Sequence, residues 1–138
     1  MIRYLADSTA VWRLQRDQKL NDAWRHEIDE GAIGSCGPQR TEFRRSARSL
    51  DEYDEMTEMF ADLYPDVAVP KSVWGWVETA QYRMAQRGRQ QSLSVVDWLV
   101  CATAAHHGLV VLHDDKDFPA AAGILSDLRE HNVFDITG

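Results

Sequence analysis

The sequence predicts an α/β fold in which a short, mainly parallel sheet is covered by helices on both faces. Three short, largely apolar runs, Ile2 to Ala6, Ala32 to Cys36 and Leu109 to Leu112, alternate with longer segments of helical periodicity. Strands buried on both sides read as near-continuous apolar runs, and their alternation with helices is the pattern of a parallel sheet. At 138 residues and 44% hydrophobic, the chain is long enough to bury one real core, so residues 1–138 are expected to form one domain.

Ile2 to Ala6 reads as the first strand, and Asp7-Ser8-Thr9 supplies capping side chains for a helix beginning Ala10-Val11-Trp12. Leu20, Trp24 and Ile28 recur at helical spacing, so one helix is expected from Lys19 to Glu30. Ala32 to Cys36 follows as a strand, ended by Gly37-Pro38, and leads into a second helix carrying Thr41-Glu42-Phe43. Ser49 with Glu52 matches a capping box, and Met56, Met59, Phe60 and Leu63 mark the buried side of the helix behind it. Asp66 to Val69 reads as a short extended piece. Pro70 opens a helix running to about Arg87, with Val73, Val77, Ala80 and Met84 inward and Gly88 as its stop. Trp74 and Trp76 on it are core or interface aromatics. Val95 to His107 is apolar nearly all round, the signature of a helix buried mid-domain. Gly108 ends it, Leu109 to Leu112 is a strand, and His113 to Phe118 is a turn-rich acidic loop. Leu125 to Leu128 is expected as a helical turn and Val133 to Ile136 as the last strand.

The start of the chain lacks a basic flank followed by a long apolar run, and no segment approaches the roughly 18 apolar residues of a membrane span, so a soluble cytoplasmic protein is expected. Cys36 and Cys101 stand apart without metal-ligand spacing, which favours two buried reduced thiols over a disulfide or a zinc site. The net charge of −7 argues against non-specific nucleic-acid binding but does not exclude a nucleic-acid substrate. The basic residues are grouped, as Arg40, Arg44, Arg45 and Arg48 and then Arg83, Arg87 and Arg89; each group is also what a solvated helix face would carry.

The acids carry the functional signal. Asp7, Glu42, Asp97 and the Asp115/Asp117 pair each stand just past a strand or near the start of a helix. In open parallel sheets, ligands bind outside the carboxyl ends of the strands. The helix from Asp97 to His107 advances about 15 Å at ~1.5 Å per residue. The strand after Gly108 climbs back by a similar distance at ~3.3 Å per residue, returning the acidic loop to the level of Asp97. Each acid also has a simpler role: Asp7 as a helix cap, Asp97 in a Ser-x-x-Asp box with Ser94, Glu42 as a surface residue, the loop as an ordinary acidic turn. Their shared end of the sheet is what those simpler roles leave unexplained. Clustered carboxylates repel one another unless hard cations such as Mg²⁺ or Mn²⁺ hold them, which points to metal-dependent chemistry on phosphates.

At these residues the chain resembles a PIN-domain ribonuclease, and more narrowly the VapC-type toxin of a bacterial toxin–antitoxin pair, over nearly its whole length. YLADSTAVWRL resembles the opening strand with its acid and hydroxyl pair, and Arg40-Thr41-Glu42-Phe43 the segment bearing the second acid. VVDWLVCATAAHHGLVVLHDDKDF, the most specific piece, joins the third acid, a small-residue helix, a strand and an HxDxDF-like loop. The hydroxyl pair reads Ser-Thr where Thr-Ser is more usual. Registration on Phe118 places the family's loop acids on Asp115 and Asp117, Asp115 ranked first as the fourth acid, and leaves Asp114 a bystander and His113 a polar support.

The resemblance implies a three-layer α/β/α sandwich and a Mg²⁺-dependent RNA endonuclease, with Mn²⁺ able to substitute, leaving a 5′-phosphate and a 3′-hydroxyl. Asp7 and Asp97 would be the principal metal ligands, with Glu42 and Asp115 or Asp117 completing the shell and Ser8 positioning a phosphate or ligand. Arg44, Arg45 or Arg87 would track the RNA backbone. It further implies a homodimer, a structured RNA such as tRNA among the candidate substrates, and a VapB-like antitoxin that blocks the mouth with a basic side chain. Two alternatives rank lower. One is a PIN-like module that binds RNA or protein without catalysis, which the retained acids disfavour. The other is a receiver-like phosphotransfer domain, whose early acidic pair and isolated later Lys are not matched by Asp7 and Lys116.

Overall fold

The computed structural model describes residues 1–136. Its strands are β1 (Tyr4–Ala6), β2 (Ile33–Gly34), β3 (Val110–His113) and β4 (Glu130–Asn132). Its helices are α1 (Ser8–Arg16), α2 (Gln18–Ala23), α3 (Arg25–Asp29), α4 (Gly37–Arg44), α5 (Leu50–Leu63), α6 (Val73–Ala85), α7 (Val95–His107) and α8 (Asp117–Ala122). The strands form a parallel sheet in the order β2-β1-β3-β4. The central pair β1 and β3 is in register with Leu5 opposite Val111 and Ala6 opposite Leu112.

That register builds two cores, because successive strand residues point to opposite faces. Leu5 and Val111 pack with Val77 and Met84 of α6, Val100 and Cys101 of α7 and Phe118 of α8. Ala6 and Leu112 face the other way, against Val11 and Leu14 of α1, Leu20, Ile28 and Phe60. The result is the expected α/β/α sandwich. Truncating one of these fully buried leucines to alanine costs about 2–5 kcal/mol.

Glycine is required at two places that shape the sheet. A Cβ on Gly34 would stand 2.6 Å from Val67 Cγ2 and 3.1 Å from the Pro65 carbonyl oxygen. The bare backbone lets 65–67 run beside β2, with Ser35 N–H donating to Pro65 O (2.9 Å) and Val67 N–H to Ser35 O (2.8 Å). Gly108, at φ 68°, reverses the chain after α7, and Leu109 N–H closes the turn on Ala104 O at 2.8 Å.

Four expectations about elements need correction. The helix expected over Lys19 to Glu30 is two, broken at Trp24 (φ −97°, ψ 7°), whose indole N–H reaches into the core to Val133 O at 2.8 Å. Leu20, Trp24 and Ile28 are nonetheless all buried. The helix expected from Pro70 starts at Val73, because Pro70 accepts the Val73 N–H in a preceding turn. Leu125 to Leu128 is a turn outside any helix. The last strand is Glu130–Asn132, not Val133 to Ile136: Asn132 Oδ1 accepts Phe134 N–H at 2.8 Å and turns the chain away. As an edge strand, β4 needs no apolar run.

Trp76 packs against Trp98 and donates to Asp127 Oδ2 at 2.7 Å, whereas Trp74 is exposed. Cys36 and Cys101 are free, and burial pushes both thiols up. Among the described residues no helix is long and apolar enough to cross a membrane.

Candidate active site

The parallel pairing of β1 and β3 brings the Asp7 turn and the His113-to-Phe118 loop to neighbouring strand ends, and Asp7 N–H donates to Leu112 O at 3.0 Å. Asp7 is the N-cap of α1 and is 3% exposed. Its carboxylate accepts the Ala10 N–H at 2.9 Å and the Thr9 hydroxyl, at 2.7 Å from Oδ1 and 2.9 Å from Oδ2. Burial nevertheless pushes the carboxyl from the usual 3.8 to about 7, and the Asp97 and Asp115 charges add to the rise.

Asp97 lies in the first turn of α7 and forms a capping box with Ser94: Asp97 N–H donates to Ser94 Oγ (3.1 Å), and Ser94 N–H to Asp97 Oδ2 (3.3 Å). Burial raises its carboxyl too, and Glu42 and Asp115 push in the same direction. Asp97 and Asp115 thus act on Asp7, and Glu42 and Asp115 on Asp97. The capping readings of Asp7 and Asp97 are also correct; both side chains cap and cluster.

Asp117 is placed differently. It begins α8, its N–H donates to Asp115 Oδ1 at 2.9 Å, and it is not among the charges raising Asp7 or Asp97. Asp114 pairs with Arg13 Nε at 2.8 Å. His113 is wholly buried, stacks on Phe118, and contacts Glu130 Oε1 through Nε2 at 2.8 Å.

Ser8 is turned toward α4, where its hydroxyl donates to Gln39 O (3.5 Å) and accepts from Gln39 Nε2 (3.4 Å). Arg44 lies over the Tyr53 ring and donates to Thr57 Oγ1 at 3.3 Å, on the α5 side of α4. Arg45 is exposed next to it, and Arg87 is exposed in the turn after α6. Arg40 of the same basic group is structural, holding Ser35 O and Asp66 Oδ1 at 3.0 and 2.7 Å.

Two contributors, Gln39 and Glu130, escaped the sequence reading, and Thr9, read there only as a capping hydroxyl of the pair, does more. Thr9 binds Asp7 and also accepts the Asp114 N–H at 2.8 Å, tying the acidic loop to the first acid. An Asp-x-Thr step at a helix start was its available signal. Gln39 and Glu130 had none, being polar residues distant in sequence from what they touch.

A profile of the PIN domain matches residues 4–124. The chain belongs to the PIN-domain family. Among curated relatives, Ribonuclease VapC6 of Mycobacterium tuberculosis is 59% identical over 74% of this chain and 80% of its own length. Ribonuclease VapC21 of the same organism is 31% identical over 88% of each chain. These relatives place the chain among VapC-type PIN proteins. Its fold matches that of a DNA-bound VapBC from Salmonella typhimurium, with a TM-score of 0.78 at 13% identity over 96% of this chain and 99% of that one. It also matches VapBC2 from Rickettsia felis, bound to a promoter DNA fragment, with a TM-score of 0.75 at 13% identity over 96% and 98%.

In this PIN site the donors are carboxylate oxygens, the set that suits Mg²⁺ or Mn²⁺. The Ala10 N–H and the Thr9 hydroxyl favour the charged form of Asp7, but burial and the Asp97 and Asp115 charges outweigh them. Among the described residues no three His, Cys, Asp or Glu side chains are arranged to grip one ion. Asp7 Oδ1 accepts the Ala10 N–H and Asp97 Oδ2 the Ser94 N–H. The residues fit a hard cation by donor type and charge.

Proposed function

We propose that this chain is a Mg²⁺-dependent endoribonuclease, the toxin of a toxin–antitoxin pair, that hydrolyses RNA phosphodiester bonds through Asp7, Asp97, Glu42 and Asp115. One observation carries the reading: Asp7 is a buried carboxylate pushed up to about 7 by its burial and by the Asp97 and Asp115 charges. A charge so placed favours a cation from solution.

Asp7 and Asp97 would hold Mg²⁺, which Mn²⁺ can replace, and the bound ion would supply charge neutralisation at the phosphate and activation of water near neutral pH. Asp115 keeps one oxygen on the Asp117 N–H and leaves the other to orient the attacking water. Glu42 completes the acidic rim beside Asp97. Thr9 holds Asp7 in place, and Ser8, whose hydroxyl rests on Gln39, would have to leave it to meet a phosphate. Of the arginines expected on the RNA backbone, Arg45 and Arg87 are exposed, whereas Arg44 is engaged by Tyr53 and Thr57.

The VapBC neighbours support a VapB-like antitoxin as the partner. We further propose that this antitoxin blocks the acidic mouth and that the toxin is a homodimer. The test is incubation of the purified protein with total RNA, with Mg²⁺, with chelator, and as Asp7→Asn or Asp97→Asn. Cleavage that requires Mg²⁺ and disappears in both variants is expected. Cleavage surviving both substitutions would refute the site, and its absence with every metal and RNA tried would favour a binding module.

A further inference from the structure

Backbone amide hydrogens can only donate, and that fixes the chemistry of a buried histidine. Asp115 N–H points at His113 Nδ1 from 3.1 Å, so Nδ1 must be the unprotonated nitrogen and the ring proton must sit on Nε2. Nε2 in turn faces Glu130 Oε1 at 2.8 Å. The ring has no freedom to turn, being wholly buried and stacked on Phe118 with centroids 5.0 Å apart. Glu130 lies on β4 and His113 ends β3, so the carboxylate arrives from the neighbouring strand.

We propose that Glu130 is a positioning residue for the reaction: by accepting the Nε2 proton of His113 it fixes the tautomer that lets Nδ1 hold the Asp115 backbone, and so aims Asp115 at Asp7 and Asp97. With the other tautomer, Nδ1–H would meet the Asp115 N–H head on, and the turn carrying the acid would open. Asp115 is then held at two points, its N–H by His113 and its Oδ1 by the Asp117 N–H. Outer partners of this kind, which orient a histidine or carboxylate without touching substrate, are worth about 10–100-fold in activity where they have been removed. This inference rests on Asp115 being a working acid of the ribonuclease site proposed above.

The test combines ¹⁵N NMR of the His113 ring, which reports which nitrogen carries the proton, with steady-state RNA cleavage. The native protein should show the Nε2–H form. Glu130→Gln, whose amide oxygen still accepts, should keep that form and most of the rate. Glu130→Lys, which can only donate to Nε2, should move the proton to Nδ1 and lower kcat at least about tenfold with little change in KM. In a His113→Asn background, where a side-chain oxygen accepts the Asp115 N–H without any tautomer to fix, Glu130→Ala should have no further effect. A native Nδ1–H ring would overturn the proposal. So would a Glu130→Lys variant that moves the proton yet cleaves normally while Asp115→Asn does not; that outcome leaves the ribonuclease site standing. Full cleavage by Asp115→Asn would remove both the role of Asp115 and the inference built on it.

Discussion

The Thr9 hydroxyl lies within hydrogen-bond distance of both carboxylate oxygens of Asp7, while its own oxygen accepts the Asp114 N–H. One side chain therefore both favours the charged form of the first acid and latches the acidic loop onto it. Thr9→Val keeps the shape and removes both contacts. It should raise the Asp7 carboxyl further and cost about 1–3 kcal/mol through the unpaired loop amide. In a pH–rate profile of kcat/KM, the acidic limb should move to higher pH, and Thr9→Ser should restore it.

Metal-free stability should fall as pH rises from about 4 to about 7. In that window folded Asp7 still binds a proton that the unfolded chain has released, since its carboxyl lies near 7 when folded and 3.8 otherwise. Asp97, raised in the same direction, adds to the loss. The combined effect is on the order of a few kcal/mol at neutral pH and above. Urea denaturation across this range, with and without Mg²⁺, should show the decline without metal and its reversal with it, and Asp7→Asn should flatten the metal-free curve.

Asp115 and Asp117 should separate cleanly. Asp115→Asn removes a charge that acts on both Asp7 and Asp97, and should lower RNA cleavage at least about a hundredfold. Asp117→Asn removes a first-turn acid from α8, worth about 0.3–1 kcal/mol of helix stability, and should leave cleavage within a few-fold. Equal losses in the two variants would show that the placement of the loop acids is wrong.

The cysteines should be inert in the folded state. Cys36 and Cys101 have no exposed surface, and burial holds both thiols protonated at neutral pH. Alkylation by iodoacetamide, followed by mass spectrometry, should label neither until denaturant is added.

The legible parts of the sequence were those where one periodicity dominates. The α7–Gly108–β3 stretch is uniformly apolar, ends on a residue suited to φ 68°, and could be measured against itself to place Asp97 beside the acidic loop. Trp24 misled because its spacing with Leu20 and Ile28 is helical even though its own backbone leaves the helix; the indole contact with Val133 O outweighs the local preference. Strand β4 was invisible because Glu130, His131 and Asn132 sit half-buried at an edge and carry no apolar signature. In the site, the acids could be read from their positions after strands and Thr9 from its Asp-x-Thr step, but the turn of Ser8 toward Gln39 comes from the packing of α4 against α1. No local pattern encodes that.

The two margins of the sheet bear on how this protein meets other chains. Beyond β2 the margin is occupied by 65–67, drawn tight by the bare backbone of Gly34. The opposite margin is β4, whose three residues are too few and too polar to template a foreign strand: Glu130 is engaged by His113, and Asn132 folds back on Phe134 N–H. Strand addition is thereby disfavoured as a mode of association or of aggregation. A companion, a second copy included, is then expected on the helix surfaces or at the acidic mouth, and an extended peptide there would bind through its side chains rather than by lengthening the sheet.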